Sequence, residues 1–325
     1  MPRLARYLLR RVAQGVVILA FVAVANFALL RCAPGDLVDV LAGEASVADA
    51  AYLAELRRKF GLDQPALVQL GHYLGQVVRG DLGYSFRNNR TVASLILDRV
   101  PATLLLMVTS LLASIALAIL LGATAARYVN RWPDRVISVT ALLAYATPVF
   151  WIGLMMIVLF SVKLQLLPSG GLLSLGRDLR GGAWMVDLLR HLLLPCLTLS
   201  LFYVASFTRL MRASMLEVVR LDYIRTARAK GLSARRVITG HALRNAVLPL
   251  VTMAGVQTAA MMGGAVVVET VFAWPGIGRL AVEAILQRDF NLLMGILLVS
   301  SLLVVVVNLL VDLAYAALDP RIELA

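Results

Sequence analysis

Residues that commonly take part in catalysis or metal binding are scarce in this chain of 325 residues. Its two cysteines, Cys32 and Cys196, are too few for a disulfide framework or a four-ligand metal site. Its three histidines, His72, His191 and His241, lie far apart in the sequence, which argues against a histidine-rich site. We therefore predict no catalytic residue, no metal site and no cofactor bound by this chain.

The positions of the lysine residues indicate whether the chain has a nucleotide site. A phosphate-binding P-loop needs a lysine after glycine and before serine or threonine. Lys59, Lys163 and Lys230 are the three lysines of the sequence, and none of them follows a glycine. No soluble segment is long enough to hold a separate nucleotide-binding domain. If the chain takes part in an ATP-driven process, we expect ATP and magnesium to bind to another polypeptide.

The composition points to a lipid bilayer. Hydrophobic residues make up 60% of the chain and charged residues 15%, against about 45–50% and 25% in an ordinary soluble domain. The mean hydropathy is +0.84, and the net charge of +12 comes mostly from arginine. These values exclude a large soluble enzyme and a disordered chain, and they favour a membrane over nucleic acid as the partner of the basic residues.

Six runs without charged residues or histidine have about the length that a membrane-spanning helix requires. They are Val12–Leu30, Pro101–Ala126, Val136–Val162, Leu192–Thr208, Asn245–Val268 and Phe290–Val311. The sequence therefore predicts an all-α, polytopic membrane protein with about six transmembrane helices. The fourth helix is expected to begin before His191, and Pro148 and Pro195 are expected to kink the third and fourth helices.

The distribution of lysine and arginine predicts the orientation in the membrane. With the N-terminus inside, the inner segments carry a net charge of +11 and the outer segments carry +1. We therefore expect a multi-pass protein with both termini in the cytoplasm. Ala23-Val24-Ala25 resembles a signal-peptide cleavage site, but the apolar run continues to Leu30, which favours a retained first helix.

The predicted organisation has two parts, residues 1–100 and residues 101–325. The first part holds the first transmembrane helix and an extracytoplasmic segment in which Leu67, Leu70 and Leu74 have helical spacing, as do Leu53, Leu56 and Phe60. That segment is either a cap on the helix bundle, which the sequence favours, or a docking surface for something delivered from outside. The second part holds five helices and a cytoplasmic loop, residues 209–244.

Small residues repeat every fourth position in two predicted helices, and such stripes allow close helix packing in a bilayer. The first stripe, in the second helix, is predicted to pack within this chain; its members are Ser110, Ser114, Ala118, Gly122 and Ala126. The second stripe, in the fifth helix, is predicted to pack either within the chain or against a partner subunit; its members are Gly255, Ala259 and Gly263.

The basic cytoplasmic loop contains signals for two short helices. Asp222 can cap the first helix, and Gly231 suits a left-handed residue at its end. Ser233 can start a second helix that runs to Asn245, and the Leu248-Pro249 pair can open the fifth transmembrane helix. A loop held at anionic lipid headgroups would explain the charge, but it would not explain two capped helices.

This loop resembles the EAA loop in the membrane subunits of binding-protein-dependent ABC importers. It is most similar to the dipeptide and oligopeptide branch, whose D-Y-x-R-T-A-R-A-K-G-L pattern matches Asp222–Leu232. Five further stretches resemble that branch in the same order along the chain: residues 61–65, 80–85, 168–171, 274–278 and 319–322. Together they cover the chain from the first extracytoplasmic segment to the C-terminus.

The resemblance implies a type I ABC importer transmembrane domain in a bacterial inner membrane. It implies that a coupling helix contacts a cytoplasmic ATPase through Asp222, Tyr223, Arg225, Thr226, Ala227, Arg228, Ala229, Lys230, Gly231 and Leu232. The implied partners are a homologous second permease subunit, two cytoplasmic ATPases and an extracytoplasmic solute-binding protein. The implied substrate is a di- or oligopeptide, with nickel and glutathione as alternatives. A secondary transporter without an ATPase and a membrane enzyme are the competing classes.

Overall fold

The computed structural model describes residues 2–32, 55, 58, 63–174, 176 and 180–318. Within those ranges the chain is helical apart from short loops and one hairpin. The elements are α1 (Pro2–Cys32), α2 (Ala66–Val78), β1 (Tyr84–Ser85), β2 (Arg90–Thr91), α3 (Val92–Arg127), α4 (Trp132–Ala146), α5 (Val149–Met156), a π-helix (Ile157–Lys163), α6 (Gly182–Val218), α7 (Asp222–Ala229), α8 (Ala234–Arg236), a second π-helix (Val237–Ala242), α9 (Leu243–Ala246), α10 (Leu248–Val271), α11 (Ile277–Leu286) and α12 (Phe290–Leu318).

Among the described residues, five helices are long and apolar enough to cross a membrane, which confirms an all-α polytopic architecture. These candidate spans are Leu9–Leu29, Val92–Arg127, Gly182–Val218, Leu248–Val271 and Phe290–Val311. The span that contains Pro195 begins at Gly182, so the prediction that it starts before His191 is confirmed. The helix also continues through Pro195 without a break.

The third predicted span is not one helix. The pair formed by Trp132–Ala146 and Val149–Lys163 is bent by 105°. Pro148 lies at the break, and Thr147 before it has extended backbone angles, φ −86° and ψ 132°. A proline disfavours helical angles in the residue that precedes it, so the predicted kink is in fact a change of chain direction.

The described residues form two compact units, of which the second extends from Pro101 to Arg279 and continues at Leu310. Its core contains fully buried side chains from α3, α6 and α10: Leu106, Leu199, Phe207, Met211, Leu250 and Met261. The small-residue stripe of α3 packs against α6, as predicted. A Cβ atom added to Gly122 would lie 2.6 Å from the Met211 Cβ, and the Ser200 hydroxyl donates to the Ser110 carbonyl over 3.0 Å.

A turn after α10 is held by a buried carboxylate. Glu269 is fully buried, and it accepts hydrogen bonds from the Thr103 hydroxyl (2.6 Å) and the Arg279 backbone N–H (3.0 Å). Trp274 is also fully buried, and its indole N–H donates to the Ala102 carbonyl over 2.8 Å. The Trp-Pro-Gly-Ile-Gly turn therefore has a structural role inside this unit.

The first unit comprises residues up to Val100 together with Leu280–Leu309. The helix predicted from Leu67, Leu70 and Leu74 is present as α2, whereas the predicted helix at Leu53, Leu56 and Phe60 lies outside the described residues. The β1–β2 hairpin is antiparallel, with Tyr84 opposite Thr91 and Ser85 opposite Arg90. The Ser85 hydroxyl donates to Asp289, whose other carboxylate oxygen caps the start of α12.

Candidate functional site: the helical segment between α6 and α10

The C-terminal end of α7 is closed by a Schellman motif. Gly231 has a φ of +79°, the left-handed conformation that glycine adopts without steric cost. Its N–H donates to the Arg228 carbonyl over 2.9 Å, and the Leu232 N–H donates to the Ala227 carbonyl over 3.3 Å. The left-handed residue predicted at Gly231 is therefore present, and it gives this helix a defined end.

The start of α7 differs from the prediction by one residue. Leu221 is the N-cap residue, with φ −70° and ψ 149°, and Asp222 is the first residue of the helix without a side-chain capping bond. The Asp222 carboxylate still lies in the first turn, where the positive end of the helix dipole favours an acid. Its Oδ1 atom is 3.3 Å from the Arg225 Nη1 atom.

The two faces of α7 have opposite environments. Ile224 and Ala227, three positions apart, are 0% and 7% exposed and belong to the core of the second unit. The opposite face is exposed and bears Asp222, Tyr223, Arg225, Thr226, Arg228, Ala229 and Lys230. An apolar pair at this spacing holds one face of a helix against its support, so the charged face is presented on a fixed element.

A second helical stretch follows Gly231 and leads into α10. The Ser233 carbonyl accepts the Val237 N–H over 3.0 Å, which places Ser233 at the start of this stretch, as predicted. The stretch runs through α8, the second π-helix and α9 to Ala246. The Asn245 side-chain amide donates to the Tyr223 hydroxyl over 2.7 Å, and this bond ties the end of the second stretch to α7. Pro249 lies in the first turn of α10, as predicted.

An ion pair that the sequence patterns did not reveal joins α4 to the end of α6. Arg212 Nε and Nη2 each lie 2.7 Å from an oxygen of the Asp134 carboxylate. Asp134 is buried, and it also accepts the Asn130 backbone N–H over 2.9 Å. The paired residues are 78 positions apart, so local periodicity could not identify them. An available signal was that Asp134 is the single acid of the inner segment 127–135.

Two family comparisons cover most of the sequence. Residues 114–324 match the family described as binding-protein-dependent transport system inner membrane component. Residues 4–107 match the N-terminal membrane component of the same transport systems. The chain belongs to the binding-protein-dependent inner-membrane permease family.

Permease relatives align along nearly the whole chain. A Brucella ovis protein named as a peptide permease is 43% identical over 319 residues, which cover 98% of this chain and 99% of the relative. The oligopeptide transport system permease protein AppB of Bacillus subtilis is 39% identical over 322 residues, covering 98% and 100%. Both alignments include the segment between α6 and α10.

A solved structure shares the fold. The membrane domain of the MetNI methionine ABC transporter, in an inward-facing conformation, matches with a TM-score of 0.56 and 17% identity. The match covers 70% of this chain and 97% of that chain. The permease therefore has the architecture of an ABC importer transmembrane domain, with additional residues outside the shared part.

The small-residue stripe on α10 of the permease changes environment along the helix. Gly255 is buried, Ala259 is partly buried and Gly263 is exposed. A Cβ atom added to Gly263 would have no atom within 4 Å, whereas one added to Gly264 would lie 3.2 Å from the Leu199 Cδ1. Gly264 therefore faces α6, whereas the Gly263 end of the stripe is exposed on the surface of this chain.

Proposed function

We propose that this permease is the membrane-spanning subunit of an ATP-driven importer, and that peptides are its substrates. The names of the full-length relatives from Brucella ovis and Bacillus subtilis support the substrate class. Nickel and glutathione remain the alternative substrates. The permease forms half of a translocation pathway with a homologous second subunit, against which the exposed Gly263 end of the α10 stripe packs.

The α7 segment, Asp222–Leu232, is the coupling helix of this proposal. The observation that carries this assignment is the combination of a buried apolar face and an exposed charged face on one capped helix. Ile224 and Ala227 connect the helix to the core of its unit, and the Tyr223–Asn245 bond connects it to the stretch that leads into α10. A displacement of α7 would therefore move the helices on both sides of it.

Separate cytoplasmic ATPases bind ATP and magnesium in this proposal, and their exposed grooves accept α7. Closure of the ATPases moves α7 as a rigid element, and the membrane helices then change between inward-open and outward-open states. A solute-binding protein delivers the substrate from outside. Both termini of the permease lie in the cytoplasm of a bacterium, on the same side of the inner membrane as α7. Residues 1–100 add a first span and an outer segment to the five-helix core of residues 101–325.

Charge reversal on the exposed face of α7 tests the coupling role. Arg225→Glu combined with Arg228→Glu changes two exposed side chains and leaves Ile224 and Ala227 in the core. In membranes that contain the assembled transporter, we expect loss of ATPase co-purification and at least a tenfold loss of ATP-dependent uptake of labelled peptides. A control is Arg190→Glu, which reverses an exposed charge near the other end of α6.

The control variant is expected to retain both co-purification and uptake. Retention of ATP-dependent uptake by the α7 variant would overturn the coupling role of α7. Uptake that continues in the absence of ATP would favour a transporter that works without an ATPase. Peptides of graded length, with nickel and glutathione as competitors, identify the substrate class in the same vesicles. Uptake of nickel or glutathione but of no peptide would leave the coupling role intact and overturn the peptide assignment.

A further inference from the structure

The short helix α2 exposes several large apolar side chains beside the polar His72 and Gln76. Its 13 residues, Ala66–Val78, include no charged side chain, and none of them is buried by the rest of the chain. Leu67 and Val78 are 81% and 87% exposed. Exposure of such large apolar side chains to water is unfavourable by about 25 cal/mol per Å², so another apolar phase is expected to cover α2.

An apolar groove lies between α2, α1 and α12, all within the first unit. Its volume is about 400 Å³, within the usual range of small-ligand sites. The lining residues are Val16, Leu19, Ala20, Ala23, Leu74, Val77, Val78, Gly80, Leu82, Leu298, Val299 and Leu302. No lining residue carries a polar side chain, and nothing in the lining could orient a charged or hydrogen-bonding ligand.

The groove is continuous with exposed apolar surfaces on two candidate membrane spans. Val16, which lines the groove, and its neighbour Val17 on the outer surface of α1 are 60% and 68% exposed, and both lie in a candidate membrane span. On the opposite wall, Leu302 is 45% exposed within the candidate span of α12. A hydrocarbon chain can therefore enter the groove from the bilayer without crossing a polar surface.

We propose that this groove binds one acyl chain of a membrane phospholipid, which packs α2 against α1 and α12. A second possible occupant is the part of this chain that joins α1 to α2. Residues 33–62 carry five acids and three basic residues. Burial of an unpaired charge is costly, so this segment could fill the groove only with a face that is free of charge. The acyl chain of a phospholipid has no charged or hydrogen-bonding group along its methylenes, so it matches the apolar lining at every point.

Filling the groove from either wall tests this proposal. Ala20→Phe on α1 and Val299→Phe on α12 place an aromatic ring at lining positions. Matched controls are Val17→Phe and Leu297→Phe, which lie on the same helices, are exposed and do not line the groove. The full-length permease, in its assembled transporter, is purified in detergent, and native mass spectrometry counts the phospholipids that stay bound.

We expect the unaltered protein and both control variants to retain one phospholipid that each filling variant loses. In vesicles with a chain-labelled spin-probe phospholipid, the motionally restricted signal is expected to fall in the filling variants only. Equal retention by filling and control variants overturns the proposal. Absence of bound phospholipid from the unaltered protein also overturns it, and a cross-link from Val77→Cys to residues 33–62 would then assign the groove to the chain itself. These readouts do not depend on the proposed transport function.

Discussion

At some positions of this permease, the surrounding atoms leave no room for any side chain larger than that of glycine. A Cβ atom added to Gly276 would lie 2.1 Å from Oε1 of the buried Glu269. The carboxylate is held in place by Thr103 and by the backbone of Arg279, so it cannot move away without breaking those hydrogen bonds. The turn after α10 therefore depends on the absence of a side chain at this position.

The Gly276→Ala variant is expected to be less stable than the unaltered protein by about 2 kcal/mol, because an added methyl group overpacks a filled site. Thermal unfolding in detergent, followed by tryptophan fluorescence, measures this effect. Gly240→Ala is the control, since its Cβ atom would meet no atom within 4 Å. An unchanged unfolding temperature in Gly276→Ala would contradict the described packing around Glu269.

Backbone conformation at Gly231 gives a second prediction. Alanine at a φ of +79° is strained by about 1–2 kcal/mol, so Gly231→Ala is expected to loosen the C-terminal end of α7. Faster hydrogen exchange of the backbone amides at positions 231 and 232 would show this loosening, because those two amides close the Schellman motif. Gly240→Ala is a suitable control, since that glycine is also exposed and lies in a helical stretch.

At the scale of helices, an ion pair fixes α4 relative to α6. Removal of the Arg212 side chain leaves the buried Asp134 carboxylate without its bidentate partner. Since Arg212 itself is 30% exposed, we expect a loss of about 3 kcal/mol, the lower end for a broken buried pair. Arg212→Lys is expected to restore part of this loss, because lysine keeps the charge but cannot form two parallel hydrogen bonds.

The unfolding temperatures of Arg212→Ala, Arg212→Lys and the unaltered protein, compared in one detergent, check this order. An equal decrease of the unfolding temperature in both variants would mean that the bidentate geometry of the pair contributes to stability and that the positive charge alone does not. No drop in Arg212→Ala would contradict the described contact between α4 and α6.

Most helices of this protein could be predicted from the sequence, because the uncharged runs have the length of a bilayer crossing. The ends of α7 were also predictable to within one residue, since glycine has a specific backbone role at position 231. The 105° bend at Pro148 was less predictable, because proline in a membrane helix often causes only a kink. The Asp134–Arg212 pair and the Glu269–Thr103 bond join distant parts of the chain, so no local pattern indicates them.

At the scale of the whole molecule, orientation in the membrane is the main testable consequence. In a variant without Cys32 and Cys196, single cysteines at Thr239 and Ser169 mark the exposed segments before α10 and before α6. A membrane-impermeant thiol reagent is expected to label Ser169→Cys in cells whose cytoplasmic membrane is intact. Thr239→Cys is expected to react after that membrane is opened. The reverse pattern would place α7 outside the cell and overturn its proposed contact with ATPases.

The length of α6 affects the distance between α7 and the bilayer. At about 1.5 Å per residue, the 37 residues of α6 extend about 55 Å, whereas the hydrocarbon layer is about 30 Å thick. The uncharged run of this helix ends at Thr208, so its last ten residues, Arg209–Val218, continue for about 15 Å, farther than a headgroup layer of about 5–8 Å. With α6 along the bilayer normal, we therefore expect the arginines of α7 to lie beyond the headgroups, and the anionic lipid content of the bilayer to have little influence on what they bind.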